Sequence, residues 1–129
     1  MRRAYLDSSA AVKLVLDEPE SGALRSWLRG RDVASSSVLR TELIRAVRPQ
    51  GESAIRRALA VAQRFHLSRI SSLVLNRAAI VGPVELRTLD ALHLATAVLM
   101  SDEVAALITY DRRLASAARD LGLRVASPS

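Results

Sequence analysis

The chain contains no cysteine. Disulfides and thiolate metal sites are therefore excluded, and the composition matches a reducing compartment. Aromatic side chains make up only 3% of a chain that is 50% hydrophobic. The core must then be built from Ala, Leu, Val and Ile, which suits close packing of helices on a sheet. Lysine is almost absent too, since Lys13 is the only one. No apolar run reaches the ~18 residues of a membrane span. The segment Met1-Arg2-Arg3-Ala4-Tyr5-Leu6-Asp7 meets an acid too early for a signal peptide. These absences lead us to expect a cytoplasmic protein without a membrane role. A length of 129 residues is expected to form one domain, residues 1–129, with a core that needs no staples.

What is abundant is arginine. The formal net charge is +6 and the sequence pI is about 11.1. Guanidinium groups bind phosphates through paired hydrogen bonds and stack on bases, so the excess suits RNA or DNA. GC-rich coding produces the same bias, and charge alone leaves nucleic-acid contact open.

Short apolar runs alternate with helical patterns along the chain. Arg3–Asp7 reads as a buried strand ending at Asp7, followed by a helix over Ala10–Leu16 capped by Ser8 or Ser9. Asp17-Glu18-Pro19-Glu20 breaks the chain, and a helix carrying Leu24, Trp27 and Leu28 on one face runs to Gly30. Asp32–Ser35 is a second strand and Val38–Arg48 a helix closed by Pro49 and Gly51. Ser53–Phe65 is amphipathic, with Ile55, Leu59 and Ala62 expected inward. His66–Ile70 reads as a weak strand or a loop, and Leu73–Val81 as a helix before Gly82-Pro83. The next helix centres on Arg87–Ala97, with Thr88 as its expected cap and Leu89, Leu92, Val98 and Leu99 as its expected apolar contacts. Ala105–Thr109 is a strand, Arg112–Leu121 a helix stopped by Gly122, and Leu123–Ala126 a last strand. This alternation implies a parallel sheet covered on both faces. Sites in such folds form at the carboxyl ends of the strands.

Four acids stand beside apolar runs: Asp7, Glu42, Asp90 and Asp111. Asp7 and Asp111 follow strands closely and are expected to face one crevice, which Glu42 and Asp90 join from helices. Two bare carboxylates ~4 Å apart repel by roughly 4 kcal/mol at an effective dielectric of about 20. A cluster of four needs protons or a cation, and oxygen ligands without thiolates select Mg²⁺ or Mn²⁺. Such ions serve phosphodiester cleavage. Ser9 is placed to add a hydroxyl contact to a metal or phosphate, and Arg112 and Arg113 to contact phosphate. His93 lies nearly one helical turn after Asp90 and reads as a hydrogen-bonded packing histidine, with orientation of Asp90 as the other reading.

The segments Tyr5–Ala10, Ser37–Leu43, Leu89–Ala97 and Ile108–Leu114 resemble, in order, the four acidic motifs of PIN-domain proteins. The VapC toxins of VapBC toxin–antitoxin pairs are the nearest group. The resemblance spans nearly the whole chain. It implies a three-layer α/β/α domain with a short-stranded, mostly parallel sheet of four or five strands flanked by helices. It also implies an endoribonuclease dependent on Mg²⁺ or Mn²⁺ that cleaves structured RNA of the tRNA or rRNA class. Asp7, Glu42 and Asp90 match the core metal-binding acids, Asp111 the more variable fourth, and Ser9 the small hydroxyl residue after the first acid. A VapB antitoxin and pairing of toxin subunits, as a homodimer within a heterotetramer or larger assembly, come with the family.

Three rival readings remain open to the sequence. A PIN nuclease of RNA maturation would act without an antitoxin. A non-catalytic binding domain would bind metal or nucleic acid without cleavage. A phosphatase using Asp7 as nucleophile normally needs an acid two residues on, where this chain has Ser9.

Overall fold

The computed structural model describes residues 2–129. Five short strands form one sheet in the order β3-β2-β1-β4-β5, where β1 is Arg3–Leu6, β2 Val33–Ser36, β3 His66–Ser68, β4 Val104–Ile108 and β5 Val125–Ala126. Every pairing is parallel, and Leu6 stands opposite Ile108. The segment from His66 is therefore a strand, at the edge of the sheet.

Both faces of the sheet are buried, and side-chain alternation distributes them. Ala4 and Leu6 of β1, with Ala106 and Ile108 of β4, face α1 (Ser8–Ala11) and α2 (Ser21–Leu28) through Ala10 and Leu24. Tyr5 and Leu107 face the other way, onto Leu94 and Ala97 of α6 (Thr88–Leu99) and Leu114, Ala117 and Ala118 of α7 (Arg112–Asp120). A second cluster joins Ala11 and Val15 to Leu39, Leu43 and Val47 of α3 (Val38–Val47) and to Ala54 and Ala58 of α4 (Glu52–Gln63). The result is helix, sheet, helix, with α5 (Ser72–Ala78) packed on α6. No helix among the described residues is long and apolar enough to cross a membrane.

Several expectations need correction. The first helix starts at Ser8 and lasts four residues, then tightens into a 3₁₀ turn over Val12–Leu14. β-branched Val12 and Val15 crowd an α-turn, and the Val15 N–H closes on the Val12 carbonyl instead. Neither Ser8 nor Ser9 caps it. Asp7 does, in extended backbone with its carboxylate accepting from the Ala10 N–H. Arg87, not Thr88, occupies the cap position of α6. Leu89 and Leu99 stay exposed, because α6 lies between the sheet and α5 and buries Ala91 and the run His93–Ala97. On α4 the inward line is Ala54, Ala58 and Ala62, and Ile55 and Leu59 flank it. Small residues there let α4 approach α3 closely. Thr109 falls just past β4, and the last strand is only two residues long.

Replacing Ala58, fully buried, with Leu should overpack the α3–α4 contact and cost about 1–3 kcal/mol. Leu73→Ala, at a position 62% exposed, should stay within about 0.5 kcal/mol of the parent. Urea unfolding of the two variants measures both.

Candidate active site

The site is built on the carboxyl ends of β1 and β4. Their register sets Leu6 beside Ile108, so the next residues, Asp7 and Thr109, come together. The Thr109 hydroxyl donates to Asp7 Oδ2 at 2.7 Å. The Ser9 hydroxyl donates to Asp7 Oδ1 at 2.7 Å, and the Ala10 N–H donates to the same oxygen at 3.1 Å. Ser9 Oγ in turn accepts the Tyr110 N–H at 2.9 Å, and Thr109 Oγ1 accepts the Asp111 N–H at 3.1 Å. Asp7 is 2% exposed. Burial pushes its carboxyl above the usual range, and the hydroxyls of Thr109 and Ser9 oppose that shift. Ser9, expected as a contact for metal or phosphate, thus has its hydroxyl engaged in holding Asp7 and the backbone after β4.

Asp111 caps α7, with Oδ1 accepting from the N–H groups of Arg113 and Leu114 at 2.8 and 3.2 Å. Asp90 lies in the first turn of α6, half-buried, and caps nothing. These two acids, with Arg112, Arg113, Arg87 and Glu85, line an open cleft of about 400 Å³. Asp7 and Glu42 are not part of that lining. They reach Asp90 through their charge. Burial raises the Asp90 carboxyl first, and then Asp111, Asp7 and Glu42 raise it further, while His93 opposes them.

Glu42 is held by His93, the histidine that the sequence reads as a hydrogen-bonded packing residue. His93, fully buried, sets Nε2 2.6 Å from Glu42 Oε1 and Nδ1 2.8 Å from the Tyr5 hydroxyl. The packing reading of His93 holds, and its carboxylate partner is Glu42 on α3, not Asp90 on its own helix. Burial pushes the Tyr5 phenol well above its usual pKa. Sequence reading missed Thr109 and Tyr5 as well. The signal for Thr109 was available, since two parallel strands ending at the same level bring Leu6-Asp7 and Ile108-Thr109 side by side. Of the other acids, Glu18 and Glu20 hold Lys13 at 3.3 and 2.6 Å.

The donor set of Asp7, Glu42, Asp90 and Asp111 is all oxygen, and its charges disfavour one another on Asp90. That chemistry fits a hard divalent cation. The spacing is open, because among the described residues no three His, Asp or Glu side chains are gathered closely enough to hold an ion.

The family model described as the PIN domain matches residues 4–120. Ribonuclease VapC46 of Mycobacterium tuberculosis is 47% identical over 130 residues, covering 100% of both chains. Among solved structures, VapC20 of Mycobacterium tuberculosis, described as a sarcin-ricin loop cleaving toxin, superposes with a TM-score of 0.71 at 13% identity. It covers 88% of this chain and 94% of its own. A chain from a toxin–antitoxin complex of Klebsiella pneumoniae gives a TM-score of 0.69 at 20% identity, covering 98% of each chain. These two likenesses establish a shared fold.

Asp90→Asn should raise Tm in EDTA at neutral pH. The folded state holds the Asp90 proton more tightly than the unfolded chain does, so ionisation costs stability as pH rises from the ordinary carboxylate range through the raised folded value. The gap in Tm between variant and parent should therefore be smallest near pH 4 and grow toward pH 7. Thermal melts at the two pH values measure it, and a gap that shrinks with pH would contradict the assignment.

Proposed function

The chain belongs to the PIN-domain family, and on that premise we propose that it is a metal-dependent endoribonuclease of the VapC type. The observation that carries the reading is the cleft that Asp90 and Asp111 share with Arg112 and Arg113, where the Asp90 carboxyl is raised by burial first and then by Asp111, Asp7 and Glu42. Three acids from three other segments bear on Asp90 at the rim of a cleft, and oxygen ligands under such repulsion call for a divalent cation. The 47% identity to a protein named a ribonuclease supports the activity.

Asp7, Glu42, Asp90 and Asp111 would hold Mg²⁺ or Mn²⁺, which when bound offsets their charge and makes water a better nucleophile toward phosphorus. The chain's own residues do the rest. Thr109 and Ser9 fix both oxygens of Asp7, so its orientation is set before any ion arrives. Asp111 uses Oδ1 to cap α7, which anchors it at the cleft. Arg112 and Arg113 line the same cleft and offer guanidinium groups to RNA phosphates. Structured RNA of the tRNA or rRNA class is the proposed substrate.

The proposed physiological role is that of a toxin in a type II toxin–antitoxin system, acting in the cytoplasm. Relatedness to VapC proteins supports a VapB-type antitoxin as partner. It also supports a homodimer that joins the antitoxin in a heterotetramer or larger assembly.

Purified, antitoxin-free protein should cleave RNA from a total RNA pool with Mg²⁺ or Mn²⁺ and not with EDTA. Asp90→Asn should fold and lose at least about 100-fold in rate. Cleavage that persists in EDTA, or in Asp90→Asn, would overturn the site. The double change Arg112→Ala and Arg113→Ala should raise KM for RNA and flatten the log–log dependence of binding on salt by about 0.7 per lost phosphate contact. Fluorescence titration against a labelled RNA at several salt concentrations reads that slope.

A further inference from the structure

Tyr5, His93 and Glu42 form a hydrogen-bonded line from β1 through α6 to α3. We infer that His93 is a positioning residue that fixes the Glu42 carboxylate, with Tyr5 setting the imidazole in turn; this rests on the metal-site reading above. The chain of donors has one direction. A carboxylate only accepts, so the imidazole nitrogen 2.6 Å from Glu42 Oε1, Nε2, carries the hydrogen. In the neutral ring Nδ1 is then the acceptor, and it takes the Tyr5 O–H at 2.8 Å. His93 is fully buried among close neighbours, and the Tyr5 ring meets its imidazole edge to face at 5.8 Å. The imidazole has little freedom to turn.

The arrangement gives α6 two tasks. Its first turn carries Asp90, and the next turn, through His93, holds an acid that belongs to α3. The Glu42 carboxylate is thereby tied directly to the helix that carries Asp90. Glu42 keeps its second oxygen for a cation, and it enters the site with its rotamer already chosen. Groups that orient a metal-ligating carboxylate typically change metal affinity by 10–100-fold when removed.

The test uses the whole chain and Mn²⁺ alone, read by calorimetry, beside NMR of the His93 ring nitrogens. The parent should show a protonated Nε2. His93→Leu should weaken Mn²⁺ binding by about 10–100-fold. His93→Gln, whose amide N–H reaches the place of Nε2, should recover most of that loss even if its Tm stays as low as that of the Leu variant. Tyr5→Phe should fall between the parent and His93→Leu. An unprotonated Nε2 in the parent overturns the proposal. So does Mn²⁺ binding by folded His93→Leu within twofold of the parent, or a Gln variant no better than Leu. If His93→Leu does not fold, His93→Gln and Tyr5→Phe decide: Tyr5→Phe binding Mn²⁺ more weakly than His93→Gln supports the line, and equal loss in both overturns it. A parent that shows the protonated Nε2 but binds no Mn²⁺ overturns the metal reading itself and, with it, the role assigned to His93.

Discussion

A carboxylate that is 2% exposed is tolerable only where the surrounding structure supplies donors; Asp7 takes two from the helix it caps and the third from the pairing of β1 with β4. Parallel strands in register end at the same level, so the residue after β4 can reach the residue after β1. Thr109 is that residue, and its hydroxyl bridges the two strand ends. A single-residue slip between the strands would take the Thr109 hydroxyl from Asp7 Oδ2 and turn the buried side chains of the shifted strand to the wrong face. The site and the core therefore depend on the same register.

The fold was legible because periodicity carries it. Runs such as Ala4-Tyr5-Leu6 and Ala105–Ile108, set between helical stretches with Gly and Pro at the breaks, admit little besides a parallel sheet covered on both sides. The acids were legible for a related reason, since a charge at the end of an apolar run is costly without a purpose. What was not legible follows from the small size of the buried residues. Ala54, Ala58 and Ala62 give a weaker sequence signal than Ile55 and Leu59, yet close approach of α4 to α3 selects them. The partnership of His93 with Glu42 spans 51 positions and depends on how two helices pack. The spacing of His93 from Asp90 pointed along the helix, whereas the contact runs across it. Ser9 looked free as a sequence neighbour of Asp7, and only the return of the chain at Tyr110 shows its hydroxyl engaged on both sides.

The four acids also differ in what they owe to the fold. Asp7 and Asp111 are helix caps as well as proposed metal ligands, and Glu42 is tied to a buried imidazole. Asp90 has no such structural employment, and it is the one whose charge is opposed by all the others. Positive charge is distributed on a different logic. Arg112 and Arg113 stand at the cleft, while Lys13 is held by Glu18 and Glu20 and lies over the Tyr110 ring at 4.7 Å. The only lysine in the sequence is thus spent on structure, and the exposed positive charge is guanidinium.

That division among the acids has an evolutionary reading. A lineage under selection to silence this chain while keeping it foldable, for example to retain a partner-binding surface, has unequal routes open to it. Loss of Asp7 or Asp111 strips a helix of its cap, and loss of Glu42 strands a buried histidine, so each change exposes the product to degradation. Loss of Asp90 removes charge and relieves repulsion. Silent descendants that persist as stable proteins should accordingly carry their lesion at the start of α6 and keep the two capping aspartates.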